Sequence, residues 1–112
     1  MADRLRVGVL ASGGGTNLQT IIANCASGKI DADVVVVISD VECGALERAR
    51  EAGIPAEHID RRDKALYPTR EAFDQAVVES LRGHDVGLVC LAGYLRIMTH
   101  DLVDAYAGRM MN

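Results

Sequence analysis

One hundred and twelve residues, 49% of them hydrophobic and 25% charged, suffice for one compact domain, or a piece of one, around a single core. A formal charge of −4 excludes the basic stripe that a nucleic-acid surface needs, so the expected partners are small molecules. The apolar run near the N-terminus, residues 7–11, is too short for a secretory leader or a membrane span, and a soluble, cytoplasmic protein is expected.

In chain order, residues 5–11 form a short apolar run followed at once by the glycine-rich stretch 12–17. Leu18, Ile21, Ile22 and Cys25 then share one face of a helix at the spacing of three and four. Residues 34–38 are five aliphatics in a row. Ala45, Leu46 and Ala49 mark a weaker helix, residues 56–59 a short strand, and Phe73, Ala76, Val77 and Leu81 a third helix that Pro68 and Thr69 start. Residues 86–92 are the next apolar run. Runs without alternation suggest strands covered on both faces, as in parallel sheets.

Gly28, Gly53 and Gly83 each follow a periodic segment, where a helix needs a left-handed cap. The order β-α-β-α-β-α-β predicts a doubly wound, mostly parallel α/β sheet of Rossmann-like type, with ligands at the carboxyl ends of its strands. If the first and fourth strands flank the point where strand order reverses, loops 12–17 and 93–98 face one crevice. Met110, Met111 and Asn112 read as a fifth strand cut off at its start.

Ser12-Gly13-Gly14-Gly15-Thr16-Asn17 lies between a buried strand and an amphipathic helix. Side-chain-free glycines let backbone N–H groups approach an anion, and the helix start adds unpaired donors and partial positive charge. No Gly-Lys-Ser/Thr follows, and Leu18 stands where the third glycine of a dinucleotide fingerprint belongs. A mononucleotide or sugar phosphate remains, with Thr16 and Asn17 as extra donors or as helix caps. Asp40 follows the second strand like a ribose-binding acid, a weak signal without that third glycine. Arg61, Arg62 and Lys64 interleave with Asp60 and Asp63 and read as a solvated loop. Cys25, Cys43 and Cys90 contain no Cys-x-x-Cys pair and read as small apolar residues, so neither a disulfide framework nor a metal is expected.

The string from Val9 through Gln19 resembles the opening of the glycinamide ribonucleotide transformylase family. Leu91-Ala92-Gly93-Tyr94-Leu95-Arg96-Ile97-Met98 and Tyr106-Ala107-Gly108-Arg109-Met110-Met111-Asn112 look like two further family segments. Gly44-Ala45-Leu46-Glu47-Arg48-Ala49 and Thr69-Arg70-Glu71 add smaller matches in the expected order. The resemblance implies formyl transfer from 10-formyltetrahydrofolate to the amine of glycinamide ribonucleotide in purine synthesis, with residues 1–112 as the N-terminal, nucleotide-binding part of the domain.

It further implies that Gly15, Thr16 and Asn17 bind the ribonucleotide phosphate. Leu95, Arg96, Ile97 and Met98 would line the folate pocket, Leu95 also lying near the ribonucleotide. Arg70 would serve the folate, whose carboxylates suit a guanidinium, and Asn112 would hydrogen-bond the formyl oxygen. In the family a histidine and an aspartate follow that asparagine, so these 112 residues alone are expected to be inactive. His58, His84 and His100 match no catalytic position and read as surface or loop histidines. Formyltetrahydrofolate hydrolases, methionyl-tRNA formyltransferases and a non-catalytic phosphate-binding module are the alternatives; the oligomeric state, a homodimer included, is left open.

Overall fold

A computed structural model describes residues 4–95 and 97–111. Five strands, β1 (Leu5–Ala11), β2 (Ala32–Ser39), β3 (Ala56–His58), β4 (Leu88–Ala92) and β5 (Met110–Met111), alternate with helices α1 (Thr16–Ala26), α2 (Gly44–Glu51), α3 (Arg70–Gly83) and α4 (His100–Ala105). Every pairing is parallel, and the strands lie side by side in the order β3-β2-β1-β4-β5. The chain first steps outward from β1 to β3, then returns to β1's other side, so strand order reverses between β1 and β4.

The unbroken apolar runs are explained by the two faces they serve. Val36, Ile38, Leu10 and Val89 join Phe73, Val77, Leu81 and Leu102 in the core beneath α3 and α4. Val7, Val9, Ala11 and Val37 join Leu18, Ala45, Leu46 and Ala49 beneath α1 and α2. Successive residues of a strand point to opposite faces, so a strand covered on both must be apolar throughout. Burying each Val, Leu or Ile stabilises the sheet by about 1.5–3 kcal/mol.

The local signals hold with three differences. Thr69 caps α3, accepting a hydrogen bond from Ala72 N–H at 3.1 Å, which removes one orphan donor of the first turn. Gly28 and Gly53 take positive φ, whereas α3 runs through Gly83 and the left-handed residue is Asp85, a type that tolerates this region. Val86 and Gly87 precede β4 instead of belonging to it, because Val86 N–H turns back to Leu81 O. α4 has no counterpart in the sequence pattern, because at six residues it is too short to show a period.

Candidate functional site

β1 ends at a fully buried Ala11, and the chain must then leave the sheet. Gly13 O accepts from Ala45 N–H at 3.1 Å, and Gly14 O accepts from Arg48 Nε at 2.9 Å. Both carbonyls are therefore committed to α2. Gly15 sits at φ +85°, and a Cβ there would stand 2.7 Å from Ala45 Cα, so backbone and packing both demand glycine. A Cβ on Gly44 would meet Gly14 O at 2.7 Å; the start of α2 and the loop approach as closely as they do because neither carries a side chain.

The opposite side of the loop is open. A Cβ on Gly13 or Gly14 would meet nothing within 4 Å, and no main-chain bond among the described residues uses their N–H groups. Gly15 is the N-cap of α1, which has no side-chain cap and no acidic residue in its first turn. Thr16 and Asn17 are thus the first two exposed helical residues, and the reading of them as caps does not hold. Unpaired donors at an uncompensated helix start form a place for an anion, and the Arg48 guanidinium beside Gly14 adds positive charge.

Ser12 fastens this loop to the segment after β4. Its N–H donates to Gly93 O at 3.2 Å, and its Oγ accepts from Leu95 N–H at 3.0 Å. The two loops do share the crevice at the β1/β4 switch point. The same hydroxyl donates to Asp40 Oδ1 at 2.7 Å. Asp40 is only 1% exposed, which removes it from reach of a ribose. Its Oδ2 lies 3.3 Å from Arg61 Nη1 without hydrogen-bond alignment, so that contact is ionic. Arg61 is therefore not merely a solvated loop residue, whereas Arg62 pairs locally with Asp60 at 3.2 Å.

At the far end of the segment, Arg70, Ile97 and Met98 line a cleft of about 390 Å³ together with Thr99 and His100. Arg70 opens α3, and one turn on, the buried Asp74 accepts from Thr99 N–H at 2.6 Å through Oδ2. Thr99 is the N-cap of α4, so α3 fixes where the segment ends. Between its two tethers, Leu95 is 79% and Ile97 67% exposed, apolar surface in want of a cover. Arg96 and Asn112 lie outside the described residues.

Asn17 also borders an apolar groove of about 450 Å³, with Thr20, Cys90, Leu91 and Met111 among its walls. Burial pushes the Cys25 and Cys90 thiols up, so they behave as the small apolar residues expected of them, and all three cysteines are free. His58 lies 3.8 Å from Glu42 and His84 3.8 Å from Glu57; of the three histidines, only His100 borders the Arg70 cleft. Among the described residues no cluster of His, Cys, Asp or Glu could hold a metal, and no helix is long and apolar enough to cross a membrane.

Ser12, Asp40, Arg48, Arg61 and Asp74 are the site residues that spacing did not single out for these roles. Asp74 carried a signal: it stands on the buried face of α3 among Phe73, Val77 and Val78, where an acid needs a partner.

A doubly wound α/β protein with its ligand crevice at the first switch point is the class that this sheet order and these loops define. A sequence model of the Formyl transferase family matches residues 5–112, and the chain belongs to that family. It is 42% identical over 111 residues to the trifunctional purine biosynthetic protein adenosine-3 of Chironomus tentans, covering 96% of this chain and 8% of that protein. To the phosphoribosylglycinamide formyltransferase of Escherichia coli (strain K12) it is 37% identical over 109 residues, 96% of this chain and 50% of the relative. The crystal structure of glycinamide ribonucleotide transformylase 1 from Symbiobacterium toebii superposes with a TM-score of 0.89 at 48% identity, covering 96% of this chain and 50% of that one. The chain thus spans about half the length of these single-function relatives and a small part of the trifunctional one.

Proposed function

We propose that the protein carrying this chain transfers a formyl group from 10-formyltetrahydrofolate to glycinamide ribonucleotide in cytoplasmic purine biosynthesis, and that residues 1–112 are the nucleotide-binding part of its transferase domain. The observation that carries this reading is the Ser12 clasp, which joins an open anion cradle to an exposed apolar segment. Gly15, Thr16 and Asn17 shape and supply the phosphate cradle, with the free N–H groups of Gly13 and Gly14 turned to the ligand. Leu95, Arg96, Ile97 and Met98 form one wall for the folate, and Arg70 takes its carboxylates.

The chemistry asks for the same parts. The ribonucleotide amine attacks the formyl carbon and a tetrahedral oxyanion forms. The attacking nitrogen then gives up a proton, the folate nitrogen takes one, and the carbon–nitrogen bond to the folate breaks as the carbonyl re-forms. An amide donor aimed at the growing negative charge lowers the barrier; Asn112 is the residue for that role. Holding both substrates at one switch point supplies the orientation that a bimolecular transfer otherwise lacks.

Gly14→Leu is the discriminating variant, because its Cβ would meet no protein atom within 4 Å and the side chain would start into the open side of the cradle. In calorimetry on the protein as its own gene encodes it, ribonucleotide affinity should fall by more than about tenfold, with formyl-folate affinity unchanged. Unaltered ribonucleotide affinity contradicts the cradle. Formate release from the folate at the same rate with and without ribonucleotide would instead make the protein a hydrolase.

A further inference from the structure

Four groups succeed one another across the carboxyl edge of the sheet in the spatial order of the strands. Arg61 lies beyond β3, Asp40 beyond β2, Ser12 beyond β1 and Leu95 beyond β4. Each touches the next: Arg61 Nη1 to Asp40 Oδ2 at 3.3 Å, Ser12 Oγ to Asp40 Oδ1 at 2.7 Å, Leu95 N to Ser12 Oγ at 3.0 Å. We infer that Asp40 is a positioning residue which, by orienting the Ser12 hydroxyl, holds the 93–98 segment in register with the glycine-rich loop.

The direction of each bond follows from the donor inventory. A carboxylate only accepts, so the single Ser12 hydroxyl proton must point at Asp40. That leaves the oxygen's lone pairs for Leu95 N–H, the only kind of partner a backbone amide can use. With Asp40 1% exposed, solvent has no access to replace its oxygen, and without it the hydroxyl is free to rotate its proton toward Leu95 and break the clasp. Arg61 supplies the counter-charge that a buried carboxylate needs; being 43% exposed itself, it contributes less than Asp40 does. Ser12 is also the residue immediately before the anion cradle, so the relay connects the position of Gly13 and Gly14 to that of Leu95. The ligand part of this inference rests on the formyl-folate reading above; the relay does not.

The test is a double-mutant cycle with two readouts on the protein as its gene encodes it: hydrogen exchange at the Leu95 amide, and affinities for formyl-folate and for the ribonucleotide. Asp40→Ala and Ser12→Ala should each speed Leu95 exchange by about tenfold, and the double variant should do no more than Ser12→Ala alone. Asp40→Asn, which keeps a carbonyl oxygen for the hydroxyl, should restore protection to near the parent level. Formyl-folate affinity should weaken in parallel with lost protection, while ribonucleotide affinity changes less. An Asp40→Ala variant with parent-like Leu95 exchange, or Asp40 and Ser12 effects that simply add, would overturn the relay, the latter by making Asp40 a mere anchor for Arg61. Lost protection in a protein whose parent form binds no formyl-folate would leave the relay standing and sink the functional reading.

Discussion

The two loops that meet at Ser12 are built in opposite ways. Residues 12–15 are fixed along their length: both inner carbonyls bond to α2, and Gly15 is wedged against Ala45. The segment after β4 is pinned at Leu95 by Ser12 and at Thr99 by Asp74, with the Leu95 and Ile97 side chains exposed. A preformed cradle suits a small, symmetric anion, which offers little surface with which to order a loop. A segment tethered at both ends suits a larger flat ligand that supplies apolar contact of its own.

Breaking the rigid loop should produce the largest effect. Gly15→Val combines a forbidden φ with a backbone clash and should cost about 3 kcal/mol of folding stability, read by denaturant unfolding. That cost is also why Gly14 and not Gly15 is the position at which to test binding. Removing the far tether of the other segment comes next: Asp74→Ala leaves Thr99 N–H unpaired and should cost about 2 kcal/mol, with Asp74→Asn recovering most of it. Within the exposed stretch, Ile97→Ser should alter stability by less than about 0.5 kcal/mol. It should nevertheless weaken formyl-folate binding by about tenfold. Loss of stability comparable to that of Asp74→Ala would mean that Ile97 packs on the protein and not on a ligand.

What could be read from the sequence follows the same division. The glycine-rich turn, the strand–helix alternation and the Thr69 cap are local features written in consecutive residues, and each is found where its chemistry puts it. Ser12 and Asp40 lie 28 residues apart, and Arg61 is embedded among acids that mask its charge, so only the folded sheet brings the three together. The placement of the two loops in one crevice was legible through topology: right-handed crossovers and a reversal between β1 and β4 leave few alternatives. Arg70 meeting Ile97 and Met98 in one cleft was legible only through the family resemblance, because nothing in either stretch encodes how the start of α3 lies against the loop after β4. The Asn17 groove was likewise invisible, since its walls come from both ends of the described chain.

The smallest effect concerns pH. Burial raises the Cys90 thiol above its ordinary value, and Cys25 likewise, so at alkaline pH the unfolded chain has lost these protons while the folded chain keeps them. Stability should therefore be full below the ordinary thiol value, about 8.5, and decline as pH rises toward the folded values. Cys90→Ala should flatten that decline, which thermal melts across the alkaline range will show. At the acid end Glu42, held low by its hydrogen bond to Arg50, favours the folded state above the ordinary carboxylate value. Its contribution disappears as pH falls through the lowered one.

Amide chemical shifts during a titration with glycinamide ribonucleotide test the central claim most directly. The Gly13, Gly14, Thr16 and Asn17 N–H signals should move first and furthest, with Leu95 following through Ser12. Shifts confined to residues away from the 12–17 loop, with those four amides unmoved at saturation, would contradict the account.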